Sequence, residues 1–444
     1  MHYAFPMAAV TFFTILIAGG VRSTPGVVTV ALEAEFGWSR ATVSGAVALS
    51  LFLYGALGPF AASFMRSHSL RLTVLAALVL LTLGTALTTV MQTPAHLYLL
   101  WGVIVGFGSG VIAPVLGKVI SGRWFAKGAG TAMGLFSASA QTGQVVLAPL
   151  LGALVEKHGW RSASTAMASV AGAAILPVLL VMKDHPEEVG ARAYGALPTA
   201  EEDPAGLRDA APPPPPPLPA APLRDIFLLP LVELGGLGQR ADFLLLALSF
   251  FVCGASTNGL IGVHLVPACV DAGMSETESA GFLAVIGVFD IVGTVASGWL
   301  TDRCSSRGLL CCYYFFRGAA LIFLPWALRL GPAALWPYAV VYGLDWVATV
   351  PPTAQLCVEC FGKERSNVAF AWVLFFHQVG AAAASAGAGA ARTALGSYAQ
   401  AFFASGGLCI LTAALVLFIP VGKAGVGGAL AGQAPQPEGE LSEK

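Results

Sequence analysis

The chain has 444 residues, of which 56% are hydrophobic and 11% charged, with a formal net charge of -1 and a mean hydropathy of +0.76. A soluble domain carries about 25% charged side chains, so a water-soluble globule of this size is excluded, and the balanced charge offers nucleic acid no field. The eight cysteines all fall in the second half, mostly inside apolar runs, and read as small buried hydrophobes. Cys357 and Cys360 form a CxxC, but lack the second pair or the histidines of a zinc site.

A bilayer core about 30 Å thick needs roughly 20 residues of helix. Runs of that length predict twelve transmembrane helices, at approximately 6–31, 42–64, 71–91, 96–119, 129–153, 162–182, 243–269, 279–300, 309–329, 333–358, 367–389 and 398–420. Each is rich in alanine and leucine and lacks the alternation of a barrel strand, which makes this an all-α membrane protein. The first run imitates a secretory signal, yet no Lys or Arg precedes it and the apolar character resumes at Val27–Leu32, so a retained spanning helix is expected. Gly19, Gly20, Pro25 and Gly26 surround Arg22 within it and predict an interrupted helix there. In the fourth span Gly102, Gly106 and Gly110 form a small-residue stripe, and Gly130 and Gly134 lie in the fifth; both predict close helix packing.

The spans group as a six-helix half over 1–182 and a second over 241–423. Between them, 183–240 reads as a partly disordered cytoplasmic linker, with six prolines at Pro212–Pro217 and the acidic cluster Glu201, Glu202, Asp203. Its segment Ile226–Leu237 is expected to lie at the membrane interface, and 424–444 reads as a disordered cytoplasmic tail. Orientation follows from Lys and Arg. Arg66, Arg71, Lys118, Arg123, Lys127, Arg303, Arg307, Arg317, Lys363 and Arg365 are assigned to one side, against Arg40, Lys157, Arg161, Arg329 and Arg392 on the other. The positive-inside rule then places both termini in the cytoplasm of a multi-pass cell-membrane protein.

A charge near the bilayer centre costs about 2.5–3.5 kcal/mol on insertion scales, so each one needs a reason. Arg22 reads as a fixed cation for an anionic substrate, the guanidinium fork matching a carboxylate, or as a structural ion pair. Asp290, in VFDIVGT, and Asp345, in YGLDWVATVPP, are the carboxylates near mid-membrane. Each either neutralises Arg22 or carries a proton, and Arg22, Asp290 and Asp345 are expected to line one cavity. Asn258, His264 and His377 are candidate substrate contacts or packing groups, and Trp346, beside Asp345, is a candidate cavity residue. No nucleophile with a base, phosphate-binding loop or HExxH is present, so neither an enzyme nor an ATP-driven pump is expected, and no cofactor is implied.

The chain resembles the major facilitator superfamily over nearly its whole length. That family carries G-x-x-x-D-R in the loops after spans two and eight. Here the second copy is GWLTDRCSSR, with Gly298, Asp302, Arg303 and Arg307; the first, ASFMRSHSLR, keeps Arg66 and Arg71 but has Met65 in place of the aspartate. EFGWSRATVS (35–44), GRWFAKGAGTAMG (122–134) and HGWRSAS (158–164) are similar to the monocarboxylate-transporter-like group and the bacterial oxalate/formate branch. In animal members an aspartate in span eight is followed four residues later by an arginine; Asp290 matches the aspartate, and Thr294 occupies the arginine position. Arg22 resembles an arginine in the first span of bacterial members and is expected to supply that cation. The resemblance implies a central cavity and alternating access. The expected cargo is a small organic anion, with proton coupling in prospect; the partners are the substrate, protons and the lipid bilayer, and a monomer suffices. Export of a hydrophobic or drug-like compound is the alternative.

Overall fold

Long alanine- and leucine-rich segments with no water to satisfy their backbone can only form helices, and helices are what the computed structural model contains. It describes residues 2–67, 69–112, 115–196 and 223–420. The proline run Pro212–Pro217, the acidic cluster at 201–203, the tail 424–444 and the side chain of Arg66 lie outside the described residues.

In the first half the helices are α1 (Ala4–Phe36), α2 (Arg40–Ser67), α3 (Leu70–Thr88), α4 (Pro94–Trp124, described over 94–112 and 115–124), α5 (Ala129–His158) and α6 (Trp160–Val181). The second half has α7 (Ala241–Asp271), α8 (Glu276–Thr301), α9 (Ser306–Leu330), α10 (Pro332–Asp345, resuming at Val350), α11 (Arg365–Leu395) and α12 (Ala399–Phe418). Ten of them are long and apolar enough to cross a membrane; the other two are α5, with 30 residues, and the broken α10. Their ends follow local rules. Ser69 and Ser275 accept the backbone N–H of Leu72 and Glu278 as N-caps, and Pro94 opens α4 where no N–H is needed. Gly37, at φ 67°, closes α1 in the left-handed conformation, and Gly362, at φ 74°, turns the chain between α10 and α11.

Two sequence expectations are corrected here. First, α1 runs unbroken through Pro25. Ser23 and Thr24 donate their hydroxyls back to the carbonyl of Gly20 at 2.8 and 3.2 Å, within the same helix. Second, the tenth span, expected as one helix over 333–358, stops at Asp345 and restarts at Val350. Pro351 and Pro352 cannot donate to the preceding turn, so they end one helix and begin the next.

The buried apolar side chains form two clusters, one from Ala4 to Met182 and the other from Leu237 to Ile419. Within the first, the glycine stripe packs α4 hard onto α2. A Cβ on Gly106 would sit 2.8 Å from Ser50 Cα, and one on Gly110 2.9 Å from Tyr54 Cα. Gly134 meets nothing within 4 Å and has no such role. Tyr194 pairs its backbone with Trp124, Ala126 and Lys127, tying the chain after α6 to the α4–α5 loop. A further helix, Leu223–Leu237, precedes α7 on the segment expected at the interface; Trp372 Nε1 donates to its Pro230 carbonyl at 3.1 Å.

Candidate functional site

The described cavity lies between α1, α2 and α4 and encloses about 20 Å³. Val21, Arg22 and Pro25 come from α1, Val47, Ser50, Leu51 and Tyr54 from α2, and Trp101 and Val105 from α4. Helical spacing puts Val21, Arg22 and Pro25 on one face, and the close approach of Gly106 and Gly110 to α2 holds Ser50 and Tyr54 against α4. The Arg22 guanidinium stands 4.5 Å from the centre of the Tyr54 ring. Its Nε is buried with no hydrogen-bond partner, and no carboxylate pairs with it among the described residues. A cation in a mainly apolar wall with a vacant donor is suited to an anion with oxygen acceptors.

Asp290 and Asp345, expected to share a cavity with Arg22, are not in this lining. They sit across the break in α10. Arg317 of α9, fully buried, donates from Nε to Asp345 Oδ2 at 2.7 Å and from its terminal nitrogens to the carbonyls of Asp345 and Trp346, at 2.5 and 3.1 Å, and to Cys253 Sγ, at 3.0 Å. Asp290 accepts the backbone N–H of Val347 at 2.9 Å and the Thr294 hydroxyl at 3.0 Å. Ser297 donates to the Ala348 carbonyl at 2.5 Å, and Thr349 meets Cys253 at 3.2 Å. The backbone at the break is therefore held by side chains of α8 and α9, as membrane burial demands. Arg317, assigned from sequence to the loop side, lies inside α9; its setting within the apolar run CCYYFFRGAALIFL was the available signal. Thr294, at the position of the family's arginine, is a partner of Asp290.

The remaining candidates are dispersed. His264 is buried, with Nδ1 3.1 Å from the Tyr398 hydroxyl and Nε2 2.9 Å from the Ser385 carbonyl. Tyr398 in turn accepts from Arg40 at 2.8 Å. Arg40 pairs with Glu33 at 2.5 Å and Asp271 at 3.4 Å, and Asp271 pairs with Arg392 at 2.7 Å. This network crosses between the halves at the side carrying the α1–α2, α7–α8 and α11–α12 turns; sequence reading left Arg40 as a loop residue. Also on that side, Glu35 holds Arg161 and the Trp160 indole at 2.6 and 2.7 Å, which explains why EFGWSR and HGWRS occur together. His377 packs 4.8 Å from the Phe250 ring and meets Gln378 at 3.3 Å. Asn258 is half-buried in a π-helical stretch of α7, and Trp346 is buried at the α10 break.

On the opposite side, Asp302 and Arg303 are exposed, and Arg303 donates to the Trp299 carbonyl of its own helix at 3.1 Å. Arg307 reaches the Ile419 carbonyl at 3.2 Å, and Gly298 faces open space. In the first half Arg71 binds the Leu179 carbonyl, and its N–H donates to Asp184 at 2.8 Å. Arg123 donates to the Met65 carbonyl at 2.7 Å, so backbone serves where the motif's aspartate is missing.

Among the described residues, twelve long helices fall in two clusters, with charged groups at a cavity, a helix break and the two ends, an arrangement that a membrane transporter has. The model of the Major Facilitator Superfamily matches residues 11–385, and the chain belongs to that family. It is 28% identical to monocarboxylate transporter 12-B of Danio rerio over 369 residues, 79% of this chain and 72% of that one. It is 27% identical to monocarboxylate transporter 12 of Homo sapiens, covering 76% and 64% of the two chains. The MFS-type transporter YcxA of Bacillus subtilis is 24% identical, over 84% and 85%. Among solved structures, a bacterial homologue of the lysosomal transporter Spinster superposes with a TM-score of 0.70 at 15% identity, covering 94% of this chain and 97% of that one; it attests the fold.

Proposed function

We propose that this protein is a secondary transporter that carries a small organic anion, a monocarboxylate, across the cell membrane by alternating access, with both termini in the cytoplasm and the monomer as the working unit. The observation that carries the reading is Arg22, a cation in a cavity wall with its Nε buried and unpartnered. Relatives named monocarboxylate transporters support the carboxylate class. The apolar remainder of the lining, Val21, Val47, Leu51 and Val105, suits one charged head with an uncharged body.

Protons are the proposed coupling ion, and Asp345 is the proposed carrier. Its Oδ1 is buried without a hydrogen-bond partner while Oδ2 is held by Arg317. Protonation there would loosen the clamp on the α10 break, linking proton binding to the movement of the halves. Uptake of labelled monocarboxylates into proteoliposomes, with and without an imposed pH gradient, tests this. Uptake is expected to accelerate when the substrate side is acid; a rate indifferent to the gradient would remove the coupling.

A second reading, export of a hydrophobic compound, draws on the aromatic faces of Tyr54 and Trp101 in the same cavity. It predicts efflux that survives neutralisation of Arg22, whereas the anion reading predicts its loss.

A further inference from the structure

We infer that Trp101 is a second substrate-anchoring donor, its indole N–H taking one oxygen of the carboxylate whose other oxygen Arg22 holds. The inference rests on the anion reading of the Arg22 cavity and adds a residue and a head-group geometry to it.

Trp101 is 1% exposed and lines the cavity, and its Nε1 is buried with no hydrogen-bond partner among the described residues. A buried tryptophan normally finds an acceptor, and an unmade hydrogen bond at a buried donor is unfavourable. Trp124 Nε1 is unpartnered too, but Trp124 lines no described cavity, so it is the coincidence of orphaned donor and cavity wall that singles out Trp101. The same wall presents the second orphan, Arg22 Nε. No carboxylate or carboxamide side chain lines the cavity; its other polar side chains are the hydroxyls of Ser50 and Tyr54. The wall thus offers two donors and a positive charge.

A second observation is independent of the first. Trp101 lies in a π-helical stretch, Tyr98–Val105, within α4. Such stretches are rare and concentrate at functional sites, because the wider turn re-aims the side chains it carries. Both α4 residues in the lining, Trp101 and Val105, belong to it. Gly102, next to Trp101, lies so close to α2 that a Cβ there would meet Leu49 at 2.9 Å, which fixes the tryptophan against the cavity.

The ligand class follows from the donors. At about 20 Å³ the cavity has room for little more than a water-sized group, so a whole substrate does not fit it in this conformation. Two donors on one planar, charged group with two acceptor oxygens describe a carboxylate. The corresponding primary amide has one acceptor oxygen and no charge, and would leave one donor unmade.

The test replaces Trp101 by phenylalanine and, through nonsense suppression, by benzothienylalanine, which keeps the shape of the indole and puts sulfur in place of N–H. Initial uptake of labelled lactate, pyruvate and butyrate into proteoliposomes is measured beside wild type and Arg22→Gln. The benzothienyl protein is expected to show a KM raised about tenfold with little change in maximal rate, the size of one lost hydrogen bond to a charged acceptor. A wild-type KM in the isosteric protein, with Arg22→Gln impaired, would overturn the role of Trp101 and leave the anion reading standing. Uptake unaffected by either Arg22→Gln or the Trp101 changes would overturn both. The isostere decides the matter even where Trp101→Phe fails to fold.

Discussion

Arg317 and Asp345 form a salt bridge of 2.7 Å inside the second half, and the same guanidinium binds the backbone carbonyls at 345 and 346 where α10 breaks. The pair serves the backbone as much as it serves its own charges. Membrane helices tolerate a break only where other groups satisfy the freed carbonyls, and Arg317 does so with an intramembrane charge that Asp345 neutralises.

Arg317→Gln should therefore be severely destabilising. Removing one partner of a buried pair costs about 3–5 kcal/mol, here with two carbonyls left short of a donor. Thermal unfolding of the detergent-solubilised protein, followed by fluorescence-detected size exclusion, should show a clear drop in melting temperature. The double change Arg317→Leu with Asp345→Leu should recover part of it. A single variant as stable as wild type would contradict the clamp.

Arg40 joins the halves from the opposite direction, bonding Glu33 of its own half and Tyr398 and Asp271 of the other. Alternating access requires such contacts to open. Arg40→Gln should shift the population toward conformers open on that side, by about tenfold if one or two charge-assisted bonds are lost. Spin labels at Ala34 and Leu395 should report a larger fraction of long distances. An unchanged distribution would mean that the network does not set the equilibrium.

The glycines of α4 and α5 offer a matched pair. Gly106→Ala brings a Cβ to 2.8 Å from the Ser50 backbone, while Gly134→Ala meets nothing within 4 Å. Overpacking costs about 1–3 kcal/mol, so the first should lower thermal stability and raise KM by displacing Ser50 from the cavity wall. The second should do neither. Equal effects would show that close α2–α4 approach is not what the α4 glycines provide.

Much of this was legible in the sequence. The length and polarity of the runs marked the helices, and the Gly102–Gly106–Gly110 spacing announced a tight interface. The α10 break was signalled by Pro351 and Pro352, and was missed because hydropathy alone carries a run across it. Partners were the harder part. Arg317 and Asp345 are 28 residues apart, Arg40 and Tyr398 are 358 apart, and nothing in either local segment names the other. Thus Asp345 was matched with Arg22, the more conspicuous intramembrane arginine, and nothing in the local sequence around Trp101 marks it as a neighbour of Arg22.

The central claim is that Arg22 holds the charge of the cargo, and carboxylate uptake by Arg22→Gln and Arg22→Lys in proteoliposomes measures it most directly. A charge-assisted hydrogen bond is worth about 1.5–3 kcal/mol, so the glutamine variant should lose about 10–100-fold in maximal rate over KM while inserting normally. The lysine variant should keep part of the activity, retaining the charge without the fork. Undiminished uptake by Arg22→Gln would contradict the account.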